Sequence, residues 1–246
     1  LEIEGDKSLS IRFALLASQS DKKSKATNLL KSEDVLTTLN CLRKLGVKIK
    51  FKKKICEING LGLNGYKYKK NITLNAGNSG TLARLIMGLL IHTKNEIKII
   101  GDKSLSKRDF YRITKPLNKF GAKFKTNSGK LPIIIKGTDF PKSIKYVESK
   151  GSAQIKSSIM LAALNTNGKT IIKAKKSRNH SELIFKHLKL PIKIKKTKNF
   201  DIIEIEGDKS LSIRWALLAS QAIGKSTSMN LLKSQDVLST LKCLKK

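Results

Sequence analysis

Short alternating runs hand over to longer apolar ones at regular intervals along the chain. Leu1-Glu2-Ile3-Glu4 alternates with period two, as a strand with one buried face does. It turns at Gly5-Asp6-Lys7-Ser8 and enters an apolar stretch over 11–17 that predicts a helix. A second helix is expected after Ser32-Glu33-Asp34, where a serine with acidic residues behind it suits a helix N-terminus. Strands over 47–51 and 55–59 close the unit. The order then repeats: a strand over 72–75, the turn Gly77-Asn78-Ser79-Gly80-Thr81, a helix over 82–91, the turn Gly101-Asp102-Lys103-Ser104, and a helix ending near Phe120-Gly121, with glycine as its C-cap. A third round has its turn at Gly151-Ser152-Ala153-Gln154 and starts its second helix at Ser177-Arg178-Asn179-His180.

Gly5, Gly77 and Gly151 stand 72 and 74 residues apart, so the pattern predicts a threefold repeat of an α/β unit, over about 1–62, 70–138 and 143–206. Three helix N-termini, each behind a glycine turn, are then expected to converge on one face. Free backbone N–H groups and the positive end of each helix dipole would make that face attract phosphates and carboxylates. A second, closer repeat lies over the first. Residues 203–246 match 1–44 without a gap at 32 of 44 positions, so 207–246 is a partial duplicate of 5–44. Such similarity reads as a recent duplication, a fusion or a sequence-assembly error. The first copy is expected to fill the native slot because it is continuous with the strands over 47–59.

Composition narrows the function classes. The net charge of +33 by itself suggests a nucleic-acid or anionic-membrane partner. Yet only seven of the 51 basic residues are arginine and the lysines are dispersed, which points to a solvated lysine surface, with no nucleic acid expected. No apolar run reaches the roughly 18 residues a membrane-spanning helix needs, and the first residues lack a signal-peptide pattern, so a cytoplasmic protein is expected. Cys41, Cys56 and Cys243 show no C-x-x-C spacing, and His92, His180 and His187 form no H-E-x-x-H, so neither disulfides, a metal site nor a cofactor is indicated. Buried packing is the expected role of the cysteines.

Five segments carry chemistry in a fixed order: Gly5-Asp6-Lys7-Ser8-Leu9-Ser10-Ile11-Arg12, Gly77-Asn78-Ser79-Gly80-Thr81-Leu82-Ala83-Arg84, Gly101 to Arg108, Gly151-Ser152-Ala153-Gln154-Ile155-Lys156-Ser157-Ser158, and Ser177-Arg178-Asn179-His180-Ser181-Glu182. Together they resemble the signatures of EPSP synthases, the 3-phosphoshikimate 1-carboxyvinyltransferases. The resemblance implies an EPSP synthase-like domain over 1–206, built of three βαβαββ repeats with helices packed inward. It also implies a reaction in which the 5-hydroxyl of shikimate 3-phosphate adds to C2 of phosphoenolpyruvate while C3 is protonated and phosphate is then eliminated.

Carried over by position, the resemblance assigns shikimate 3-phosphate to Lys7, Ser8, Arg12, Ser152, Ala153, Gln154 and Arg178. It assigns phosphoenolpyruvate to Lys7, Asn78, Ser79, Gly80, Thr81, Arg108 and Gln154, with Lys7 also at the reacting oxygen. Lys103 is not expected to touch ligand. Arg84 is left between an ion-pair residue and a ligand contact. His180, Asp34 and Asp236 are read as first-turn helix residues, with a role near the site left open for Asp34 and Asp236. The family places its main acid/base groups in a second domain that nothing after Gly207 resembles. The isolated chain is therefore expected to be inactive, and a complementing C-terminal domain or a domain-swapped neighbour is the expected protein partner. The rival readings are a UDP-N-acetylglucosamine enolpyruvyl transferase-like enzyme, whose opening signature has Lys-Asn in place of Lys7-Ser8, and a non-catalytic polyanion-binding α/β protein.

Overall fold

A computed structural model describes residues 2, 5–207, 217, 219–221, 223–225, 227 and 235–244. The first unit runs through α1 (Lys7–Ala17), β1 (Lys23–Thr27), α2 (Glu33–Lys44), β2 (Lys48–Lys52) and β3 (Ile55–Asn59). The second comprises β4 (Ile72–Asn75), α3 (Gly80–Leu89), β5 (Ile97–Ile100), a single-turn α4 (Lys103–Ser106), α5 (Tyr111–Asn118), β6 (Lys123–Asn127) and β7 (Lys130–Lys136). The third comprises β8 (Lys145–Glu148), α6 (Ala153–Leu164), β9 (Lys169–Lys175), α7 (His180–His187), β10 (Ile192–Lys196) and β11 (Phe200–Glu206).

Each unit has its own sheet. The orders β4-β5-β7-β6 and β8-β9-β11-β10 are the same arrangement twice. In both, the leading pair is parallel and the other pairs are antiparallel. A parallel pair needs a crossover, which α3 and α6 supply. The first sheet, β1-β3-β2, has the same antiparallel part, and Glu2 bridges Thr27 in parallel where a leading strand belongs. Of the strand expected over 1–4, only Glu2 is described.

The first helix of each unit is apolar nearly all round, which suits burial on every side rather than on one stripe. Residues 10–17 of α1, 155–164 of α6 and all of α3 except Thr81 and Arg84 are buried. These helices gather at the centre, α3 along α6 and α1 against α3 and α7, with the sheets outside. The helices thus pack inward as the sequence reading expected. Gly88 marks a close approach of α3 to α6: a Cβ there would lie 2.2 Å from the Ser158 carbonyl oxygen, and Ser158 Oγ donates to the Arg84 carbonyl at 2.9 Å.

Two elements differ from expectation. Helix α1 starts at Lys7 rather than near Ile11, because the Asp6 carboxylate accepts from Leu9 N at 2.7 Å and closes the first turn over polar residues. The expected single helix after Gly101 divides into α4, capped by Asp102, and α5, whose Tyr111 N donates to Asp109 at 2.8 Å.

The duplicate is described only in part, and Lys209, Ser210, Arg214 and the Asp236 side chain lie outside the described residues. Its opening residues, 203–206, belong to β11, and Gly207 N donates to the Gly168 carbonyl at 2.9 Å. A helix over Gln235–Leu244 corresponds in sequence to α2. There Cys243 and Leu244 are exposed, whereas their counterparts Cys41 and Leu42 are buried. Burial pushes the Cys41 and Cys56 thiols up to about 11. Iodoacetamide at pH 8 is therefore expected to modify Cys243 in the native protein and all three thiols after unfolding, read by intact mass. Because folding holds the two buried thiols protonated, stability should fall as pH rises from the ordinary thiol value toward about 11.

Candidate functional site

The three turns that open α1, α3 and α6 share one backbone device. Gly5, Gly77 and Gly151 have φ of +67°, +54° and +70°, a left-handed conformation that costs glycine little. A capping side chain follows each: Asp6 accepts from Leu9 N, Ser79 from Leu82 N and Ser152 from Ile155 N. None of the three helices has an acidic residue in its first turn, whereas α2 carries Glu33 and Asp34 there and α7 carries Glu182. The dipoles of α3 and α6, capped by neutral serines, are left for an external anion, whereas the Asp6 carboxylate already stands at the start of α1.

Arg12 joins α1 to α6 and α7. Its Nε donates to Ser181 Oγ at 2.7 Å and its Nη2 to Ser157 Oγ at 3.0 Å, while Nη1 reaches the Ser8 carbonyl at 3.1 Å and the Ser8 hydroxyl. Ser181 Oγ donates to Ser157 Oγ at 2.6 Å, and His180 Nδ1 lies 3.0 Å from Ser8 Oγ. Burial lowers the Arg12 pKa to about 10, opposed by Glu182 and Asp6 and assisted by Arg178, so the guanidinium stays charged at neutral pH. Lys7, about half exposed, pairs with Asp34 at 2.9 Å, which places that acid at the site as well as in the first turn of α2. His180 sits in the first turn of α7, as read, and braces Ser8. Arg178 is exposed just before α7.

A second group surrounds the N-terminus of α3. Arg108 Nη2 donates to Asn78 Oδ1 at 3.0 Å, and Asn78 Nδ2 donates to Asp102 at 2.8 Å. Arg84 Nη1 donates to Gln154 Oε1 at 2.8 Å, and Gln154 Nε2 donates to Thr81 Oγ1 at 3.1 Å. A Cβ on Gly80 would stand 2.7 Å from Arg84 Nη1 and 3.0 Å from Arg108 Nη1, so glycine here makes room for two guanidinium groups. Arg84 also lies over the Phe110 ring, 5.1 Å from its centre. Burial lowers its pKa first, and the neighbouring Arg112 and Arg108 lower it further. Crowded cations of this kind are relieved by a bound anion. Arg84, left open by the sequence, is thus part of the cluster, while Lys103 is exposed in the first turn of α4.

Helix α6 brings the rest. Ser152 and Ala153 stand at its start, and the preceding turn is tied down by Glu148, which accepts from Lys150 N at 3.0 Å and Ser152 N at 2.9 Å. Sequence reasoning assigned no role to Ser157, Ser181 or the buried pair Lys156 and Glu182, whose Nζ and Oε1 are 2.5 Å apart. One signal was present: Lys156 stands in a stretch, Ile155 to Leu164, with no other charge, and a lone charge on a buried helix needs a partner. Among the described residues no group of three or more His, Cys, Asp or Glu side chains could hold a metal, and no helix is long and apolar enough to cross a membrane.

The family model for EPSP synthase (3-phosphoshikimate 1-carboxyvinyltransferase) matches residues 1–204 and, separately, 200–246. The 3-phosphoshikimate 1-carboxyvinyltransferase of Ruthia magnifica is 41% identical over 199 residues, which is 80% of this chain and 46% of that protein. That of Vesicomyosocius okutanii is 43% identical over the same shares. Two structures of EPSP synthase from Acinetobacter baumannii superpose with a TM-score of 0.76, at 32% and 30% identity. They cover 89% and 99% of this chain, and 52% and 59% of their own. The chain spans about half the length of the relatives it matches.

Proposed function

The chain belongs to the EPSP synthase family, and on that premise we propose that residues 1–206 form the shikimate 3-phosphate and phosphoenolpyruvate binding half of an enolpyruvyl transferase. The observation that carries this reading is the pairing of two cation clusters at the starts of the inward helices. One is Arg12 with Ser8, Ser157 and Ser181, beside Lys7, Arg178 and the Ser152-Ala153 turn. The other is Arg84 and Arg108 about Gly80, beside Asn78, Thr81 and Gln154. Each substrate carries a phosphate and a carboxylate, so a site that takes both must hold four anionic groups close together. Shikimate 3-phosphate is assigned to the first cluster and the phosphoenolpyruvate phosphate to the second. Gln154, bonded within the second cluster, is assigned to both substrates, and Lys7 is assigned to the reacting oxygen.

Among the described residues, five carboxylates near these clusters are engaged. Asp34 holds Lys7, Glu148 holds two backbone N–H groups, Glu182 holds Lys156, and Asp6 and Asp102 cap helices. With these five committed and the chain spanning about half the length of its relatives, it is expected to bind substrates without turning them over. Calorimetric titration should show saturable binding of shikimate 3-phosphate, tightened by glyphosate, with no phosphate released when phosphoenolpyruvate is added. Lys7→Ala and Arg12→Ala should each weaken binding about tenfold or more, as loss of a charge-assisted hydrogen bond does. Phosphate release by the purified chain would contradict the binding-only reading. Salt-sensitive binding of any polyanion, with no saturable response to shikimate 3-phosphate, would contradict the assignment as a whole.

A further inference from the structure

Lys156 and Glu182 stand out because both are buried and neither has been assigned to a substrate. The Lys156 side chain is 0% exposed and that of Glu182 6%, with 2.5 Å between Nζ and Oε1. The contact is an ion pair without hydrogen-bond geometry, and no further partner for Nζ or for either carboxylate oxygen is present among the described residues. A buried pair supported so sparsely does little for stability compared with apolar side chains of the same size. Its position indicates what it does instead. Lys156 immediately precedes Ser157 on α6, and Glu182 immediately follows Ser181 on α7. Those two serines bond each other and receive the Nη2 and Nε donors of Arg12.

We propose that Lys156 and Glu182 are positioning residues for Arg12. The ion pair locks α6 to α7 so that Ser157 and Ser181 form its seat, and Lys156 keeps the Glu182 carboxylate engaged so that the charge of Arg12 stays available to an anionic ligand. That the ligand is shikimate 3-phosphate rests on the function proposed above; the seating of Arg12 does not. The electrostatics agree. Glu182 is the foremost anion acting on Arg12, ahead of Asp6, while Arg178 opposes both. Were Lys156 absent, the unpaired charge of Glu182 would draw more strongly on Arg12, and an incoming phosphate or carboxylate would meet a guanidinium partly neutralised. Were Glu182 absent, two buried cations would face each other across one serine pair.

The test removes both charges together, because Lys156→Met/Glu182→Leu replaces the pair with apolar groups of similar size and spares the fold an orphaned ion. Thermal unfolding, the 15N-detected Nε–H resonance of Arg12 in the ligand-free chain (assigned by its loss in Arg12→Lys) and titration with shikimate 3-phosphate are read side by side. The double variant should unfold at or above the native temperature. Its Arg12 Nε–H signal should change from a distinct, slowly exchanging resonance to an averaged one, and its affinity should fall about ten- to a hundredfold. Lys156→Arg, which keeps the charge, should preserve the resonance. A folded double variant with an unaltered Arg12 signal overturns the proposal, whatever the chain binds. Collapse of that signal in a chain that never bound shikimate 3-phosphate supports the positioning role and instead removes the ligand assignment. Should the double variant not fold, Glu182→Asp withdraws the carboxylate by one methylene without changing charge, and the same resonance decides: perturbed in support, unaltered against.

Discussion

Lys156→Met alone should destabilise the protein by about 3–5 kcal/mol in urea unfolding, more than any surface lysine substitution, because it leaves a buried carboxylate without its counter-ion. The surroundings offer little rescue. Glu182 is 4% exposed, and among the described residues neither of its oxygens has another hydrogen-bond partner. Arg12, which acts on Glu182 through its charge without bonding to it, is held by Ser8, Ser157 and Ser181, so it takes over the carboxylate only in part. The unfolded chain, in contrast, hydrates Glu182 freely, so the variant pays the full desolvation cost on folding. Loss of well under 1 kcal/mol would mean that water or solvent ions reach the pair, and the interhelical contact would have to be redrawn as half-open.

Gly88→Val should cost about 3 kcal/mol, at the upper end of what overpacking usually exacts. The clash is with backbone rather than a side chain that could turn aside, since a Cβ at this position falls 2.2 Å from the Ser158 carbonyl oxygen and 3.1 Å from its carbon. Helices α3 and α6 must therefore move apart. The same two helices carry Arg84 and Thr81 on one side and Gln154 on the other, joined at 2.8 and 3.1 Å. Spreading the helices stretches both bonds, so the stability loss should be accompanied by weaker response to phosphoenolpyruvate or glyphosate in the titration, with shikimate 3-phosphate binding through Arg12 less affected. Wild-type stability in Gly88→Val would show that the two helices do not cross at this distance.

Much of the fold is legible in the sequence because the turns require particular backbone conformations. Gly5, Gly77 and Gly151 recur at nearly equal spacing and all three adopt the left-handed conformation, so the periodicity read from the letters is a periodicity of φ. Strands 55–59 and 72–75 fall where the alternation places them. The start of α1 is less legible. Lys7, Ser8 and Ser10 look like loop, and only the Asp6 cap closes them into a helical turn. At the site, the arginines and turn residues are readable from motifs contiguous in sequence. The seat of Arg12 is not, because Ser157 and Ser181 meet across 24 residues and reach Arg12 across 145 and 169. Such pairing is fixed by how α1, α6 and α7 cross, which no local pattern encodes.

The double membership of β11 bears on how the two copies of the opening segment can drift apart. Gly5 and Gly207 are equivalent letters in a shared octapeptide. Gly5 stands in open space with φ +67°, and a side chain there meets nothing within 4 Å. Gly207 follows a strand already bonded along both edges, and a Cβ on it would fall 1.4 Å from the Thr166 carbonyl oxygen. Substitution at the first site is opposed by torsion alone, and at the second by collision with a neighbouring turn. Identical text is thus proofread by different forces at its two addresses, and the later copy is anchored at its first glycine by the third repeat rather than by any likeness to the first.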